Sequence, residues 1–216
     1  MSSADGLAHR AGLTLDGPVT FRADFEHRDA LIGAALDEFS EHGYDAASLN
    51  RILAAAGMSK GQLYHHFANK EALYLALVEW TIDEKVRWHS EGHPLRVPDD
   101  FFDVIEANIT ASIGFAQARP EVERFARSLL AERGRAIFDT VTTRVGFDAN
   151  DSIGMLVAQH HAAGGFRPGL SLGFVTNVVE LVVNNLPELL DLHSPADLEP
   201  PLSDLVAWLR HSLGRG

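Results

Sequence analysis

The stretch SLNRILAAAGMSKGQLYHHFANKEAL, residues 48–73, decides the fold of this chain. It divides into two short helical segments on either side of Gly57, a residue type that tolerates the positive φ of a tight turn. Ser48 and Ser59 each precede one segment, where a side-chain hydroxyl can cap the first N–H groups of a helix. The stretch therefore predicts two short helices joined by a turn, which is the arrangement of a helix-turn-helix.

The two helices predicted from this stretch have one apolar face and one polar face. Ile52, Ala56 and Leu63 can pack the helices together. The outward face of the second helix then holds side chains that suit a DNA major groove, where Lys meets guanine edges and Gln meets adenine edges. Phosphates are the natural partners for Ser48, Tyr64 and Lys70. The outward residues of this helix are Lys60, Gln62, Tyr64 and either His65 or His66.

The charge of this stretch differs from that of the rest of the chain. The whole sequence has 18 Lys and Arg against 30 Asp and Glu, a formal net charge of −12 at pH 7. Residues 46–70 hold Arg51, Lys60 and Lys70 and no acid, which leaves 15 basic and 30 acidic residues elsewhere. The net charge argues against indiscriminate nucleic-acid binding but allows a local basic surface. An acid-free segment is what a surface facing phosphates needs.

Helical periodicity continues through nearly the whole chain, and the two-residue alternation typical of strands is scarce. On the first helix, Ile32, Leu36 and Phe39 share one face, and Gly43 follows as a left-handed stop. Asn69 can cap the fourth helix. Helices are predicted at about 24–42, 49–55, 60–67, 70–89, 98–119, 120–133, 135–163, 171–192 and 202–213. We therefore predict an all-α fold, with three short helices, a connecting helix and a larger helical body.

Composition narrows the class of protein further. With 216 residues, 46% of them hydrophobic, the chain can form a sizeable core, and with no cysteine it has neither disulfides nor zinc-thiolate sites. Residues 1–23 are small, polar and interrupted by glycine, so we expect a mobile tail rather than a secretory signal. The most apolar segment, 171–186, contains Glu180 and is too short to span a bilayer. A cytoplasmic location is expected.

These residues resemble the signature of the TetR family of transcriptional repressors. The signature has a Thr or Ser cap, an Ile, Ala-Gly-Val-Ser at the turn, Gly-x-x-Tyr-x-His-Phe, and Lys-Glu-x-Leu. The matching residues here are Ser48, Ile52, AGMS at 56–59, GQLYHHF at 61–67 and KEAL at 70–73. FSEHGYDAAS, residues 39–48, also fits the phrase that follows the family's first helix. The resemblance covers about residues 28–80.

The resemblance implies a division of the chain and a set of DNA contacts. Residues 24–69 would form the helix-turn-helix DNA-binding domain, and 70–216 a ligand-binding and dimerisation domain. Leu53 stands where the family usually has Ala and could widen or tilt the helix pair, and Met58 replaces Val. The positions where the family touches DNA are Ser48, Asn50, Lys60, Gln62, Tyr64, His66 and Lys70, and His65 occupies a variable position that sometimes reaches DNA.

The resemblance also implies a dimer built from the last two long helices, here about 171–192 and 202–213. The first of them has more apolar residues than one buried face needs, with a kink expected at Pro187. The alternative is that this helix is simply central in its own domain. The predicted interface residues are Val175, Val179, Val182, Val183, Leu186 and Leu190.

A ligand pocket in each body is the third implication of the resemblance. Five aromatic residues could line an apolar cavity, namely Trp80, Trp88, Phe115, Phe138 and Phe166. Three polar residues could anchor a ligand, namely Arg119, Arg127 and Asn184. For the aromatic residues the alternative is ordinary core packing, and for Arg127 it is an exposed position on the surface.

Histidine is frequent, with 11 residues, but its spacing does not predict a metal site. His89 and His93 are four residues apart, yet the intervening Gly92 ends the helix that would align them. His160 and His161 are adjacent, so on a helix they point about 100° apart. We predict neither a metal nor another cofactor.

Together these features predict a ligand-responsive, homodimeric DNA-binding transcriptional regulator, acting as a repressor. Its partners would be double-stranded operator DNA and a small-molecule effector. Two alternatives remain open, an all-helical enzyme and a helical protein-interaction module. The sequence has no nucleophile elbow, phosphate-binding loop or zinc-protease motif, so we expect no enzyme activity.

Overall fold

The computed structural model describes residues 21–91, 100–145, 151–189 and 199–215, and in these ranges the chain is helical, as predicted. Residues 1–20 of the predicted tail lie outside the described residues, as do parts of the helices predicted at 98–119, 135–163 and 171–192. None of the described helices is long and apolar enough to cross a membrane. The helices are α1 Arg28–Ala46, α2 Leu49–Ala56, α3 Lys60–His66, α4 Lys70–Ser90, α5 Phe101–Ala118, α6 Pro120–Ala131, α7 Ala136–Val145, α8 Asp151–Ala162, α9 Leu172–Asn184, α10 Leu186–Leu189 and α11 Glu199–Leu213.

The chain forms two compact units that interleave along the sequence. The first unit is Met1–Arg87 with Arg119–Phe147, and the second is Trp88–Ala118 with Asp148–Gly216. The first unit therefore combines the helix-turn-helix with α6 and α7, because α6 packs along α1. The functional division at residues 69 and 70 is a different boundary and stays a prediction.

The core of the first unit forms around α1. The predicted face of Ile32, Leu36 and Phe39 is buried, as expected. Phe125 of α6 lies against it, with its ring centre 6.5 Å from that of Phe39. Gly43 interrupts the helix with a φ of 69° and a ψ of 175°, so α1 bends there before it ends at Ala46. The positive φ predicted for Gly43 is present, but its ψ is extended, and α1 resumes after Gly43 rather than stopping there.

The start of α1 corrects the predicted tail and first helix. Phe21 falls inside the predicted tail of residues 1–23, yet it is only 1% exposed. Its ring centre lies 5.0 Å from that of Phe67, and Arg28 donates a hydrogen bond to the Phe21 carbonyl. These contacts hold Phe21 and the residues before α1 against the helix-turn-helix. Helix α1 begins at Arg28 rather than near Asp24.

The core of the second unit is formed by α5, α8, α9 and α11, and it corrects the predicted dimer interface. Val175 and Val179 are at most 1% exposed, and Val182 and Leu186 are also buried in this core. Side chains that are already buried have no surface left for a second subunit. Val183 is partly buried against the same core, and Leu190 lies outside the described residues.

The predicted break near Pro187 is present. Helix α9 ends at Asn184, and the short α10 follows from Leu186. Pro187 has no N–H to donate to the carbonyl four residues earlier, so the regular hydrogen-bond ladder cannot continue through it. The kink thus has a covalent cause.

Alanine substitutions at Ser48 and at Ser59 test which of these two serines caps its helix. Ser59 accepts a hydrogen bond from Gln62 N–H in a capping box, whereas the Ser48 side chain makes no such bond. Ser59→Ala is expected to lower the free energy of unfolding by about 1 kcal/mol, and Ser48→Ala to change it little. Urea unfolding followed by circular dichroism measures both, and equal losses would contradict this assignment of the caps.

Candidate nucleic-acid interface

The turn between α2 and α3 has the geometry that the sequence predicted. Gly57 has a φ of 66° and a ψ of 26°, in the left-handed region. The Met58 N–H donates to the Leu53 carbonyl at 3.0 Å and closes the end of α2. Ile52 and Leu63 are completely buried between the helices. Because the larger Leu53 is also buried in this core, the helix pair accommodates it there.

A capping box fixes the start of α3 and involves Gln62. The Gln62 N–H donates to the Ser59 hydroxyl at 3.2 Å, and the Ser59 N–H donates to Gln62 Oε1 at 2.8 Å. Gln62 is exposed, and its amide NH₂ group donates to no other residue in the part of the chain that the structure describes. A two-bond contact to adenine would need the second lone pair of Oε1 as well.

The outward face of α3 presents polar side chains and no acid. Lys60, Gln62 and His65 are exposed, and Tyr64 is 53% exposed. On α2, Asn50 is exposed, while Ser48 at the helix start is half-buried. Within the described residues, Lys60 forms neither a hydrogen bond nor an ion pair, so its ammonium group is available to an anion.

His66 differs from its neighbours on α3 because it is part of an aromatic stack. Its ring centre lies 4.1 Å from that of Phe25, with an angle of 24° between the ring planes. Burial, and secondarily the nearby His65, lowers the pKa of His66. Its Nδ1 atom is buried and has no hydrogen-bond partner among the described residues. The His66 ring thus packs the segment before α1 against α3.

Lys70 is engaged inside the protein. Its Nζ donates to the carbonyl oxygens of Tyr44 at 2.7 Å, Asp45 at 3.0 Å and Ala47 at 3.2 Å. The same ammonium lies 4.7 Å from the centre of the Tyr44 ring. A phosphate contact by Lys70 would therefore compete with bonds that close the end of α1.

Arg51 and Glu38 form an ion pair that was not predicted from the sequence. Arg51 Nε lies 2.9 Å from both carboxylate oxygens of Glu38, and the Ser48 N–H donates to Glu38 Oε1 at 2.7 Å. The Arg51 hydrogen bond, which outweighs the opposing effect of burial, lowers the pKa of Glu38. The sequence contains one indication of this ion pair. Glu38 falls inside the apolar stripe of α1, where a carboxylate needs a partner.

These contacts change the interpretation of the basic segment. Arg51 is neutralised by Glu38, and the charge of Lys70 is directed at carbonyl groups of its own chain. Lys60 is the cation of residues 46–70 that faces solvent without a partner among the described residues. The lack of acid on α3 is therefore a stronger feature of this surface than an excess of base.

The predicted ligand residues do not gather at one place within either unit. In the first unit, Arg119 lies over Trp80, 5.8 Å from the ring centre, and Phe138 packs against the core. In the second unit, the ring centres of Trp88 and Phe115 are 6.1 Å apart, and Phe166 is buried beside His160. The side chain of Asn184 is outside the described residues.

Two surface clefts can be compared with these predictions. One, of about 760 Å³, lies in the first unit and includes Arg127, which is exposed. The other, of about 780 Å³ in the second unit, is lined by none of the eight predicted ligand residues. In the described ranges, no three His, Asp or Glu side chains come together in a way that could hold a metal ion. The predicted pocket residues stay predictions.

A helix-turn-helix with an exposed, acid-free second helix is the arrangement that DNA-binding proteins place in the major groove. Residues 31–77 match the family described as bacterial regulatory proteins, tetR family. A solved TetR family regulator from Chloroflexus aurantiacus has the same fold, with a TM-score of 0.75 and 24% identity, over 93% of this chain and 100% of that structure. Residues 31–77 are thus similar to the tetR family of bacterial regulatory proteins, and the fold over most of the chain is that of a TetR family regulator.

Two named regulators share parts of the sequence. IcaR, the negative transcriptional regulator of the biofilm operon icaADBC in Staphylococcus epidermidis, is 27% identical over 144 residues, 60% of this chain and 78% of IcaR. The transcriptional repressor AcnR of Corynebacterium efficiens is 44% identical over 50 residues, 23% of this chain and 27% of AcnR. The match to AcnR thus spans about a quarter of that repressor.

Alanine at Lys60 and at Lys70 should affect folding differently. Lys60→Ala removes an unpaired surface charge, so the free energy of unfolding should stay within about 0.5 kcal/mol of the parent value. Lys70→Ala leaves three carbonyl oxygens without their donor and should lower it by about 1–3 kcal/mol. Urea unfolding measures both. An unchanged midpoint for Lys70→Ala would show that these bonds do not stabilise the end of α1.

Proposed function

We propose that this chain is a homodimeric repressor that binds operator DNA and leaves it when a small molecule binds. The observation that carries the proposal is the acid-free surface of α3, on which Lys60, Gln62 and Tyr64 are all exposed to solvent. Repression is favoured because IcaR is a negative regulator and AcnR a repressor. Operator binding implies that the protein works in the cytoplasm, where bacterial DNA lies.

In the proposed complex, α3 enters the major groove and the residues of its face have separate tasks. Gln62 reads a base edge through its free NH₂ group, and Lys60 and His65 supply further donors. Tyr64 and Ser48 bind phosphates, which position the protein without reading sequence. Asn50 supports this contact from α2, while His66 and Lys70 act from within by holding the helices in place.

A titration with DNA tests this proposal. DNA from upstream of the protein's own gene and a scrambled duplex are compared by fluorescence polarisation at two salt concentrations. Selective binding that weakens steeply with salt is expected, because phosphate contacts release counterions. Weak, unselective binding at both salts, followed by failure to enrich any fragment from the whole genome, would reject the DNA-binding role and favour a protein-interaction module.

Variants of the capping box separate base reading from helix stability. Gln62→Ala should relax sequence preference, with a loss of about 1–3 kcal/mol on the preferred site. Ser59→Ala breaks the same capping box but keeps the Gln62 amide, so it is the matched control and should retain the preference. Tyr64→Ala should weaken binding to all sequences alike. If Ser59→Ala relaxes preference as much as Gln62→Ala, Gln62 acts through the cap and does not read a base.

The proposed dimer uses the exposed face of α9 and α11. Phe174 is 53% exposed, Leu181 65% and Trp208 55%. Phe174 and Leu181 are seven residues apart and so lie on one side of α9, turned away from the buried Val175, Val179 and Val182. Exposed large apolar side chains favour contact with another protein surface when they form a patch, as Phe174 and Leu181 can on α9. A second copy would bring two α3 helices to the spacing of one DNA turn, about 34–36 Å.

Charged substitutions on the two faces of α9 test the proposed dimer. Leu181→Asp should give a folded monomer that binds operator poorly, because it places a charge in the interface. Val179→Asp is the control on the buried face, and it should unfold the second unit, because Val179 is 1% exposed. Sedimentation velocity and circular dichroism distinguish these results. A Leu181→Asp protein that remains dimeric would move the interface to another surface.

The proposed effector acts by preferring the conformation that does not bind DNA. A complete switch, from 1:99 to 99:1, needs a preference of about 5.5 kcal/mol between the two conformations. A ligand that binds both equally would leave operator affinity unchanged, however tightly it bound. Screening for an effector therefore needs DNA release as its measurement, and ligand binding alone is insufficient.

A further inference from the structure

Residues 43–47 connect the bent end of α1 to the start of α2, and they are held by side chains from two other places in the first unit. From α4, Lys70 donates to three carbonyl oxygens of this connection. From the turn after α6, Glu132 Oε1 accepts the Tyr44 N–H at 2.9 Å, across 88 residues of sequence. We call residues 43–47 the entry segment, because the chain enters the helix-turn-helix through them.

Glu132 is a buried carboxylate, and its environment commits it to the entry segment. It is 3% exposed. Its Oε2 lies 3.0 Å from Arg135 Nη1, and the same Arg135 nitrogen lies 3.8 Å from Asp45 Oδ2. Glu132 and Arg135 thus hold Tyr44 and Asp45 through one hydrogen bond and one ion pair. A buried carboxylate of this kind keeps its position because leaving its donors unpaired is costly.

The close approach of this carboxylate depends on glycine at position 43. A Cβ atom at Gly43 would lie 2.8 Å from Glu132 Oε1, and the φ of 69° is itself unfavourable for other residues. The bend in α1 and the position of Glu132 therefore belong to one arrangement. The arrangement sets where the chain goes next, because Ser48, the residue before α2, follows the entry segment directly.

We propose that Glu132 is a positioning residue for operator binding, acting through the Tyr44 N–H to hold the entry segment and so the orientation of α2 and α3. This inference rests on the proposed function. Glu132 belongs to the part of the chain assigned to the effector domain, so the hydrogen bond makes operator affinity depend on where the turn after α6 lies. An entry segment that samples other positions lowers the fraction of protein able to bind DNA, and apparent affinity falls by that fraction.

The first arm of the test uses hydrogen exchange on the full-length protein without DNA. In Glu132→Ala, exchange should become faster at Tyr44 and through residues 48–57, while α9 in the other unit keeps its protection. Glu132→Gln keeps an amide oxygen that can accept the Tyr44 N–H and should restore protection. Unchanged protection at Tyr44 and residues 48–57 in Glu132→Ala would overturn the proposal, whether or not the protein binds DNA.

The second arm measures operator affinity for the same variants. Glu132→Ala should bind about tenfold more weakly than the parent, and Glu132→Gln should stay within about threefold. Val141→Ala, which opens a small cavity in the same core, is the control for general loss of stability, and it should retain the parent affinity when folded. If Glu132→Gln is as weak as Glu132→Ala, the ion pair to Arg135 is responsible and the assigned hydrogen bond is not.

The two arms separate failure of this inference from failure of the proposed function. A parent protein that binds no DNA rejects the proposed function, and hydrogen exchange then still decides whether Glu132 holds the entry segment. A parent protein that binds DNA, with Glu132→Ala equally tight, rejects Glu132 as a positioning residue for binding. Only faster exchange together with weaker binding, both restored by Glu132→Gln, supports the proposal in full.

Discussion

The two-sided burial of α1 is the constraint on which the first unit depends. Its apolar residues Leu31, Ile32, Ala35, Leu36 and Phe39 cover more of the helix surface than one neighbour can bury. The helix-turn-helix packs on one side, and α6 packs on another. A DNA-reading element and a helix from far along the chain therefore share a single core. This is why the compact units do not coincide with a division of the sequence into an amino-terminal reader and a carboxy-terminal body.

The burial of α1 also explains the polar contacts around the helix-turn-helix. Glu38 lies on the buried side of the helix and is satisfied by Arg51 and the Ser48 N–H. The bend at Gly43 leaves carbonyl oxygens at the end of α1, and these accept the Lys70 ammonium. Two of the basic residues near the DNA-facing surface thus complete the fold itself. What distinguishes the outward face of α3 is that carboxylates are absent from it.

The parts of the structure that depend on neighbouring residues could be predicted from the sequence, whereas contacts between distant residues could not. Gly57 and the caps at Ser59 and Asn69 are local, and the structure has each of them. The Glu132–Tyr44 bond spans 88 residues and gives no periodic signal. The sequence does not show which side of α9 is buried, because valines and leucines occur around most of the circumference of this helix.

The capping box at the start of α3 has a consequence for any attempt to redesign the specificity of this protein. Position 62 must supply an acceptor for the Ser59 N–H, which in capping boxes comes from Glu or Gln. Of these two, Glu would add a negative charge to a helix surface that carries no acid. Gln62 is therefore the one choice that completes the capping box and also keeps this helix free of acid. A library that randomises residue 62 alone would select mostly against weakened helices, and new base preferences would have to come from positions 60 and 65.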